Sequence, residues 1–316
     1  MRILISGGFG FVGGRLAKYL QHAGHEVVLG SRSAKSPPEW FREAEVVKMD
    51  WNDTDALTTV CAGVDVIIHA AGMNAQDSAA NPSEALAFNG VSTARLIDAG
   101  YKALVRRFIY LSTAHVYGSP LEGTITEEAN LRNLHPYATS HLAGESAVLY
   151  ATQSKQIEGI VLRLSNAFGA PAHWEANCWG LLVNDLCRQA VTLRSMTLRS
   201  TGLQRRDFIT IQDVMRVIAH MVELPKSNIG NGVFNVGSGN SSSVIDMVEL
   251  IQIRCKEVLG YTPGIIRQLP VENEKSPNLE YRIDKLLGTG FKFDGNPELE
   301  IYDIIEMCSL YCVGAN

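Results

Sequence analysis

The first 32 residues constrain the fold of this chain more than any other segment. An apolar run breaks into glycines at positions 7, 10 and 13, an amphipathic stretch follows from Phe11 to about His22, and a second apolar run occupies 26–29. This order predicts a strand, a glycine turn, a helix and a second strand. Gly7 permits the tight turn, Gly10 lets a pyrophosphate approach the backbone, and Gly13 allows the helix to pack closely on the sheet. The pattern therefore predicts dinucleotide binding.

Length and composition exclude several other classes of protein. At 316 residues the chain can bury a large core in one or two domains. Its net charge of −5 provides no broad basic surface, so we expect no nucleic-acid partner. No apolar run approaches the roughly 18–20 residues of a membrane span, so we expect no membrane partner. The six cysteines lie far apart without a CxxC pair, which favours reduced core thiols, a cytoplasmic location and no bound metal.

Strands and helices alternate as far as about residue 165. Further apolar or β-branched runs occur at 46–49, 64–68, 108–111 and 160–164. Pro82 is typical of a first helical turn, and that helix is predicted to extend to about Ala99. We therefore predict an α/β fold with a Rossmann-like, doubly wound parallel sheet over residues 1–165, to which 208–238 return. Residues 166–316 are predicted to form mainly a smaller, mixed α/β substrate lobe, with 166–207 rich in loops.

Further motifs follow the glycine turn in a fixed order. They are Asp50, His69–Gly72, Asn89, Leu111–Gly118, Pro136–Glu145, Leu162–Gly169, Arg206–Ile209 and Phe234–Gly239. Together these motifs resemble the extended short-chain dehydrogenase/reductases, specifically the NAD(P)-dependent nucleotide-sugar epimerase/dehydratase family. The resemblance covers nearly the whole chain.

The resemblance implies a catalytic core of Thr113 and Tyr137. In that family the tyrosine phenolate removes a proton from a sugar hydroxyl or returns one to a ketone, and the threonine hydroxyl bonds the same oxygen. A tyrosine pKa of about 10 must be lowered by a nearby positive charge for this work. The family provides a lysine four residues after the tyrosine, whereas this chain has His141.

Three interpretations of His141 follow. It could act in catalysis, either protonated or as a neutral imidazole that donates one hydrogen bond to the cofactor ribose. Alternatively, the protein binds its ligands but turns over slowly or not at all. In the third interpretation the substrate needs only weak base catalysis, as in the reduction of a reactive ketone.

The residues after Thr113 narrow the type of reaction. Dehydratases of the family have a carboxylate directly after the threonine, and this chain has Ala114 and His115 there. The pattern resembles a 4-epimerase acting through a keto-sugar, with an NADPH-dependent keto-sugar reductase as the alternative. A non-catalytic NADP-binding sensor or scaffold is a further alternative, favoured by the missing lysine and opposed by the intact Thr113 and Tyr137.

The resemblance also implies which residues contact NADP or NAD. They are Gly7, Phe9, Gly10, Phe11, Val12, Gly13, Arg32, Asp50, Trp51, Ala70, Ala71, Gly72, Tyr137 and His141. NAD-selective members usually carry an acidic residue at the end of the second strand. This chain has Arg32 in that region, which leans towards NADP because a guanidinium can pair with a 2′-phosphate. The alternative is that Arg32 is a solvated side chain that contacts no cofactor.

The resemblance implies fewer residues for substrate binding than for cofactor binding. Thr113, His115, Asn166 and Arg206 match positions that face the nucleotide sugar, and arginine suits a diphosphate by its planar fork of donors. A later phosphate-binding arginine of the family has no match in 272–277. The resemblance further implies a homodimer formed through the helices at about 81–99 and 136–153.

Overall fold

The secondary structure of the chain is dominated by short strands that alternate with helices. The computed structural model describes residues 1–272 and 274–313. The strands are β1 (Arg2–Ser6), β2 (Glu26–Ser31), β3 (Glu45–Lys48), β4 (Val66–His69), β5 (Arg107–Thr113), β6 (Gly123–Ile125), β7 (Glu158–Leu164), β8 (Asn166–Phe168), β9 (Ser195–Thr197), β10 (Arg205–Thr210), β11 (Val233–Val236), β12 (Ser241–Ser243), β13 (Gly264–Ile266) and β14 (Leu279–Tyr281).

Helices connect most of these strands. They are α1 (Phe11–His22), α2 (Thr54–Val60), α3 (Ala75–Ala80), α4 (Pro82–Ala85), α5 (Thr93–Lys102), α6 (Pro136–Gln153), α7 (Leu182–Leu193), α8 (Ile211–Glu223), α9 (Val244–Leu259), α10 (Asp284–Gly288) and α11 (Pro297–Cys308). A π-helical segment, Leu86–Ser92, joins α4 to α5, and a second one, Ser309–Val313, follows α11. Short 3₁₀ turns occupy Glu39–Phe41, Ala114–Val116 and Lys226–Asn228.

Seven strands form one parallel sheet in the order β11-β7-β5-β4-β1-β2-β3. Its central strands are apolar on both faces because helices cover both. Ile3 and Ile5 belong to the core beneath α1 and α8, whereas Leu4 belongs to the core beneath α2, α5 and α6. The predicted α/β fold with a doubly wound parallel sheet is confirmed. The order also reverses beside β1, where such folds bind ligands.

A second group of elements follows the carboxyl end of β7. The helices α7, α9 and α11 pack on the three-stranded sheet β12-β10-β8 and enclose their own apolar core. Trp174 and Trp179 pack against each other at the edge of this core, with ring centroids 4.2 Å apart. All six cysteines are free thiols, and five of them are buried.

The helix predicted over 81–99 is present as a continuous helical run from Pro82 to Lys102, within which Leu86–Ser92 is π-helical. One local prediction was wrong: the region 166–207, predicted to be rich in loops, contains the three-turn helix α7. Helix α7 begins after Leu181, whose side chain makes no capping hydrogen bond. The usual polar start signal is therefore missing from the sequence.

Candidate functional site

The glycine turn forms a close-packed cradle at the end of β1. Gly7 has φ = 72°, a conformation that favours glycine, and its carbonyl accepts the Gly10 N–H at 2.9 Å. A Cβ on Gly13 would overlap the Gly7 carbonyl, and a Cβ on Gly7 would lie 2.8 Å from the backbone nitrogen of Ala71. The backbone of 70–72 thus lies directly beside the glycine turn.

The first turn of α1 leaves its backbone N–H groups available to an anion. Gly10 is the N-cap and offers no capping side chain, while Phe11 and Val12 are only partly buried. These donors, together with the positive end of the helix dipole, suit a diphosphate. The cradle, which a Cβ would fill, therefore fits a dinucleotide.

Two aromatic side chains cover the glycine turn from other segments. The rings of Trp40 and His173 stack at 5.4 Å, and His173 Nε2 hydrogen-bonds the carbonyl of Phe9 at 2.9 Å. Phe9 also meets Trp40 edge-on. The sequence analysis did not identify Trp40 or His173, because neither lies in a motif near the glycines.

Three of the predicted cofactor residues, Arg32, Asp50 and Trp51, lie after β2 and β3. Arg32 is exposed, one residue past the end of β2. The Asp50 carboxylate accepts the backbone N–H of Asn52 at 3.2 Å and lies 3.6 Å from Lys48 Nζ. Trp51 packs edge-on against Phe88, and its indole N–H is buried with no hydrogen-bond partner among the described residues. An unpartnered indole donor beside the cradle also fits a bound nucleotide.

Thr113 and Tyr137 meet at the carboxyl end of β5. Thr113 is the last residue of β5 and is buried, and Tyr137 lies in the first turn of α6. Burial raises the pKa of Tyr137, and the neighbouring Thr113 hydroxyl opposes that rise in part. The phenol is therefore protonated at neutral pH in the protein alone.

His141 lies one turn further along α6, against Tyr137. The two ring centroids are 4.6 Å apart, and the imidazole is buried. Burial lowers the pKa of His141 to about 4, because the interior disfavours the charged form. Of the forms considered for His141, the structure favours the neutral imidazole over the protonated one.

A buried ion pair fixes the orientation of α6. Arg163 of β7 binds the Glu145 carboxylate through Nε and at 2.6 Å through a terminal nitrogen. Ser112 of β5 donates to the same carboxylate. Because Glu145 follows His141 by one turn, these contacts hold the face of α6 that carries His141 against β5.

The predicted substrate residues converge on the other side of Tyr137. His115 meets the Tyr137 ring edge-on at 6.5 Å, and burial lowers its pKa, assisted by the nearby Arg206 guanidinium. Arg206 donates to Asn166 Oδ1 at 3.4 Å, and Asn166 donates to the carbonyl of Asp207 at 2.9 Å. No carboxylate in the described chain pairs with Arg206, so its charge is available to an anionic ligand.

The sequence analysis missed Tyr110 as part of this site. Tyr110 lies in β5 and is buried, and its hydroxyl is 3.0 Å from His141 Nδ1. The one available signal was a phenol between the apolar residues Ile109 and Leu111, because a buried hydroxyl needs a hydrogen-bond partner.

Residues 1–272 and 274–313 lack two features, a metal-binding cluster and a membrane-spanning helix. These residues contain no group of three or more His, Cys, Asp or Glu side chains arranged to hold a metal ion. None of their helices combines the length and the apolar character that crossing a membrane would require.

Comparison with known proteins gives consistent matches across the chain. The sequence profile of the NAD dependent epimerase/dehydratase family matches residues 3–237. A dTDP-6-deoxy-L-talose 4-dehydrogenase (NAD(P)(+)) from Kitasatospora kifunensis is 30% identical, over 89% of this chain and 86% of that protein. A putative UDP-glucose 4-epimerase from Methanocaldococcus jannaschii is 26% identical over 96% of each chain. The structure of MoeE5 in complex with UDP-glucuronic acid and NAD has a TM-score of 0.80 at 22% identity, and covers 97% of this chain and 98% of that one.

Proposed function

Because the chain belongs to the NAD dependent epimerase/dehydratase family, we propose that it is a nucleotide-sugar 4-epimerase that uses NAD(P). The observation that carries this proposal is the pairing of Thr113 with Tyr137 where the next residues are Ala114 and His115. A hydroxyl and a phenol suffice to move one proton between a sugar oxygen and the protein. Elimination of water needs a further acid–base group, and neither Ala114 nor His115 provides a carboxylate.

The proposed chemistry divides between the cofactor and the side chains. The bound nicotinamide supplies hydride transfer, and its oxidised ring brings a positive charge to the site. Tyr137 accepts the proton of the sugar 4-hydroxyl and later returns it, while the Thr113 hydroxyl holds the same oxygen. His141 is neutral, so it contributes a hydrogen bond and not a charge, and the phenol is ionised less readily than beside a lysine.

Arg206 and Asn166 support a nucleotide-sugar substrate. The guanidinium is partly buried, has no carboxylate partner among the described residues and lies near His115 at the sugar end. Burying an unpaired cation is costly, and a bound diphosphate would remove that cost. We propose that these two residues bind the diphosphate of the substrate.

We propose that the protein accepts NADP and retains the ability to use NAD. The support is that β2 ends at Ser31 without a carboxylate and is followed by the exposed Arg32. Lys35 lies in the same loop, with its ammonium 4.6 Å from the centre of the Phe9 ring. Two cations near the glycine turn favour the additional phosphate of NADP.

A keto-sugar reductase is the second candidate, and the uncharged state of Tyr137 and His141 favours it. Reduction of a ketone needs a proton donor, and burial raises the pKa of Tyr137, which keeps the phenol protonated. A reductase would also bind and release NADPH in each turnover, and the cations after β2, Arg32 and Lys35, favour the additional phosphate of this cofactor.

We further propose a homodimer and the division into lobes expected from the sequence. Exposed apolar side chains on the two helical segments implicated in dimer formation support the first: Leu86, Val91, Tyr101 and Tyr150. The return of β11 to the main sheet, beside β7, supports residues 208–238 as part of the dinucleotide-binding domain.

The test begins with the nucleotide that is released when freshly purified protein is denatured, identified by its mass. The protein is then incubated with UDP- and dTDP-hexoses, with conversion followed by ¹H NMR and cofactor redox state by absorbance at 340 nm. An epimerase should release near-stoichiometric nucleotide and form the C4 epimer without net change in absorbance. Tyr137→Phe should lower the rate at least about a hundredfold, because it removes the acid–base group.

Other outcomes would contradict the epimerase. Empty protein that consumes NADPH in the presence of a 4-keto-sugar would establish the reductase. Binding of cofactor without conversion of any sugar would favour the sensor or scaffold.

A further inference from the structure

The two ring nitrogens of His141 face different surroundings. Nδ1 lies 3.0 Å from the Tyr110 hydroxyl in the buried interior. Nε2 makes no hydrogen bond to the described residues and lies on the side of Gly72, 3.8 Å from where a Cβ on that glycine would stand. Gly72 belongs to the loop beside the dinucleotide cradle. Nδ1 is therefore hydrogen-bonded inside the protein, whereas Nε2 faces the proposed cofactor site.

The backbone of α6 is shaped to receive the Tyr110 hydroxyl. A Cβ on Gly144 would overlap this oxygen, so only glycine leaves room for it at that position. The hydroxyl is otherwise surrounded by the carbonyl of Asn89 at 3.4 Å and by Thr93. The close approach of Tyr110 to α6 is thus built into the packing.

The surrounding hydrogen bonds determine which way the Tyr110 proton points. Thr93 Oγ1 lies 2.6 Å from the Asn89 carbonyl and donates to it, so Thr93 accepts from His69 Nε2 at 3.0 Å. His69 Nδ1 then accepts from the Ser6 hydroxyl. The Asn89 carbonyl already has a short donor, and Tyr110 lies closer to His141 Nδ1 than to that carbonyl. The Tyr110 proton therefore goes to Nδ1, and the ring proton of neutral His141 resides on Nε2.

We propose that Tyr110 is a positioning residue that holds His141 in the Nε2-protonated tautomer, with this N–H directed at the cofactor ribose. The proposal rests on the proposed function only in assigning the cradle to a nicotinamide dinucleotide. Without Tyr110 the neutral ring could exchange its proton between the two nitrogens. In one of the two tautomers Nε2 would be an acceptor and not a donor.

The first measurement uses the wild-type protein without ligands. Two-bond ¹H–¹⁵N correlation spectra of the ¹⁵N-histidine-labelled protein at pH 7.5 report which ring nitrogen carries the proton. The His141 signals are those absent from the His141→Lys spectrum. We expect protonated Nε2 and unprotonated Nδ1. A proton on Nδ1, or on both nitrogens, would overturn the proposal whether or not any variant folds.

The second measurement uses Tyr110→Phe, which removes the hydroxyl and keeps the ring. The His141 signals should shift towards a mixture of tautomers. The affinity for NAD or NADP should fall about twofold, because the donor tautomer of His141 would then be populated about half of the time. Tyr150→Phe, at an exposed position of α6, the helix that carries His141, is the matched control and should change neither quantity. An unchanged tautomer and affinity in Tyr110→Phe would contradict the proposal.

A double variant separates positioning from packing. Lysine has no tautomers, so Tyr110→Phe made in the His141→Lys background should leave cofactor affinity unchanged. An equal loss in both backgrounds would mean that Tyr110 acts only through packing. No sugar is present in these measurements. Absence of turnover would therefore remove the proposed epimerase and leave this result standing.

Discussion

At the scale of single residues, the proposed catalytic tyrosine, Tyr137, lacks, within the described chain, a neighbouring cationic side chain that would lower its pKa. Burial raises the pKa of Tyr137 and lowers the pKa of His141 to about 4, so both side chains are neutral at pH 7.5. A phenolate beside a neutral imidazole gains a hydrogen-bonded environment but little Coulombic stabilisation. The positive charge needed in the oxidative direction must therefore come from the bound ligands.

Substituting His141 tests this assignment. His141→Lys should raise kcat at pH 7.5 about tenfold and move the rising limb of the pH–rate profile to lower pH, because an ammonium stabilises the Tyr137 phenolate. His141→Ala should lower kcat about tenfold through loss of the ribose hydrogen bond. Steady-state rates from pH 6 to 10 provide the measurement. Equal activity in His141→Ala and wild type would remove any catalytic role for the histidine.

At the scale of secondary-structure elements, α6 is the part that assembles the site. Pro136 is the first residue of α6, directly after the N-cap His135, and the start of this helix could be predicted from that proline. The side-chain contacts of α6 could not be predicted from the sequence. Glu145 meets Arg163, and His141 meets Tyr110, only because β5 and β7 pair beside this helix. The motifs predicted most of the candidate site residues, whereas the hydrogen-bond partners of those residues depend on strand order.

The π-helical segment shows the same limit. The sequence predicts a single helix over 81–99, and nothing in its apolar period distinguishes Leu86–Ser92. In the structure the Asn89 carbonyl in this segment accepts the Thr93 hydroxyl at 2.6 Å and lies 3.4 Å from the Tyr110 hydroxyl. The Asn89 side chain bonds Met73 N–H and Ser140. These partners come from four different elements or loops, so a single-sequence pattern does not contain them.

Gly144→Ala tests how closely α6 packs at this point. The new Cβ would overlap the Tyr110 hydroxyl and lie 2.7 Å from the backbone oxygen of Asn89, so the helix must shift. The free energy of unfolding should fall by about 1–3 kcal/mol. Gly180→Ala, where a Cβ meets nothing within 4 Å, is the matched control and should stay within about 0.5 kcal/mol of wild type. Urea unfolding measures both, and equal effects would contradict the close packing.

At the scale of the whole molecule, buried groups on the two sides of the site respond oppositely to pH. Burial lowers the pKa of His141 to about 4 and that of His69 to about 3, from 6.5. Burial raises the pKa of Glu300, which joins α11 to Arg15 of α1, from 4.5 to about 7. The unfolded chain therefore binds more protons at the histidines between pH 4 and 6.5, and fewer at Glu300 between pH 4.5 and 7. Acid destabilises the fold through the first pair and stabilises it through the second group.

The net balance gives a prediction for the ligand-free protein. Between pH 4.5 and 6.5 the histidines whose pKa is lowered by burial outnumber the carboxyl groups whose pKa is raised by burial, so the free energy of unfolding should rise with pH. Each group contributes up to about 1.4 kcal/mol per pH unit, the slope for one proton. Glu300→Gln removes one opposing group and should steepen the rise by up to about that amount. The exposed Glu249→Gln on α9 should leave it unchanged. Urea unfolding at half-unit pH intervals measures the three slopes. A slope that Glu300→Gln does not alter would mean that Glu300 is already ionised in the folded protein below pH 6. In that case, Arg15 would compensate for its burial.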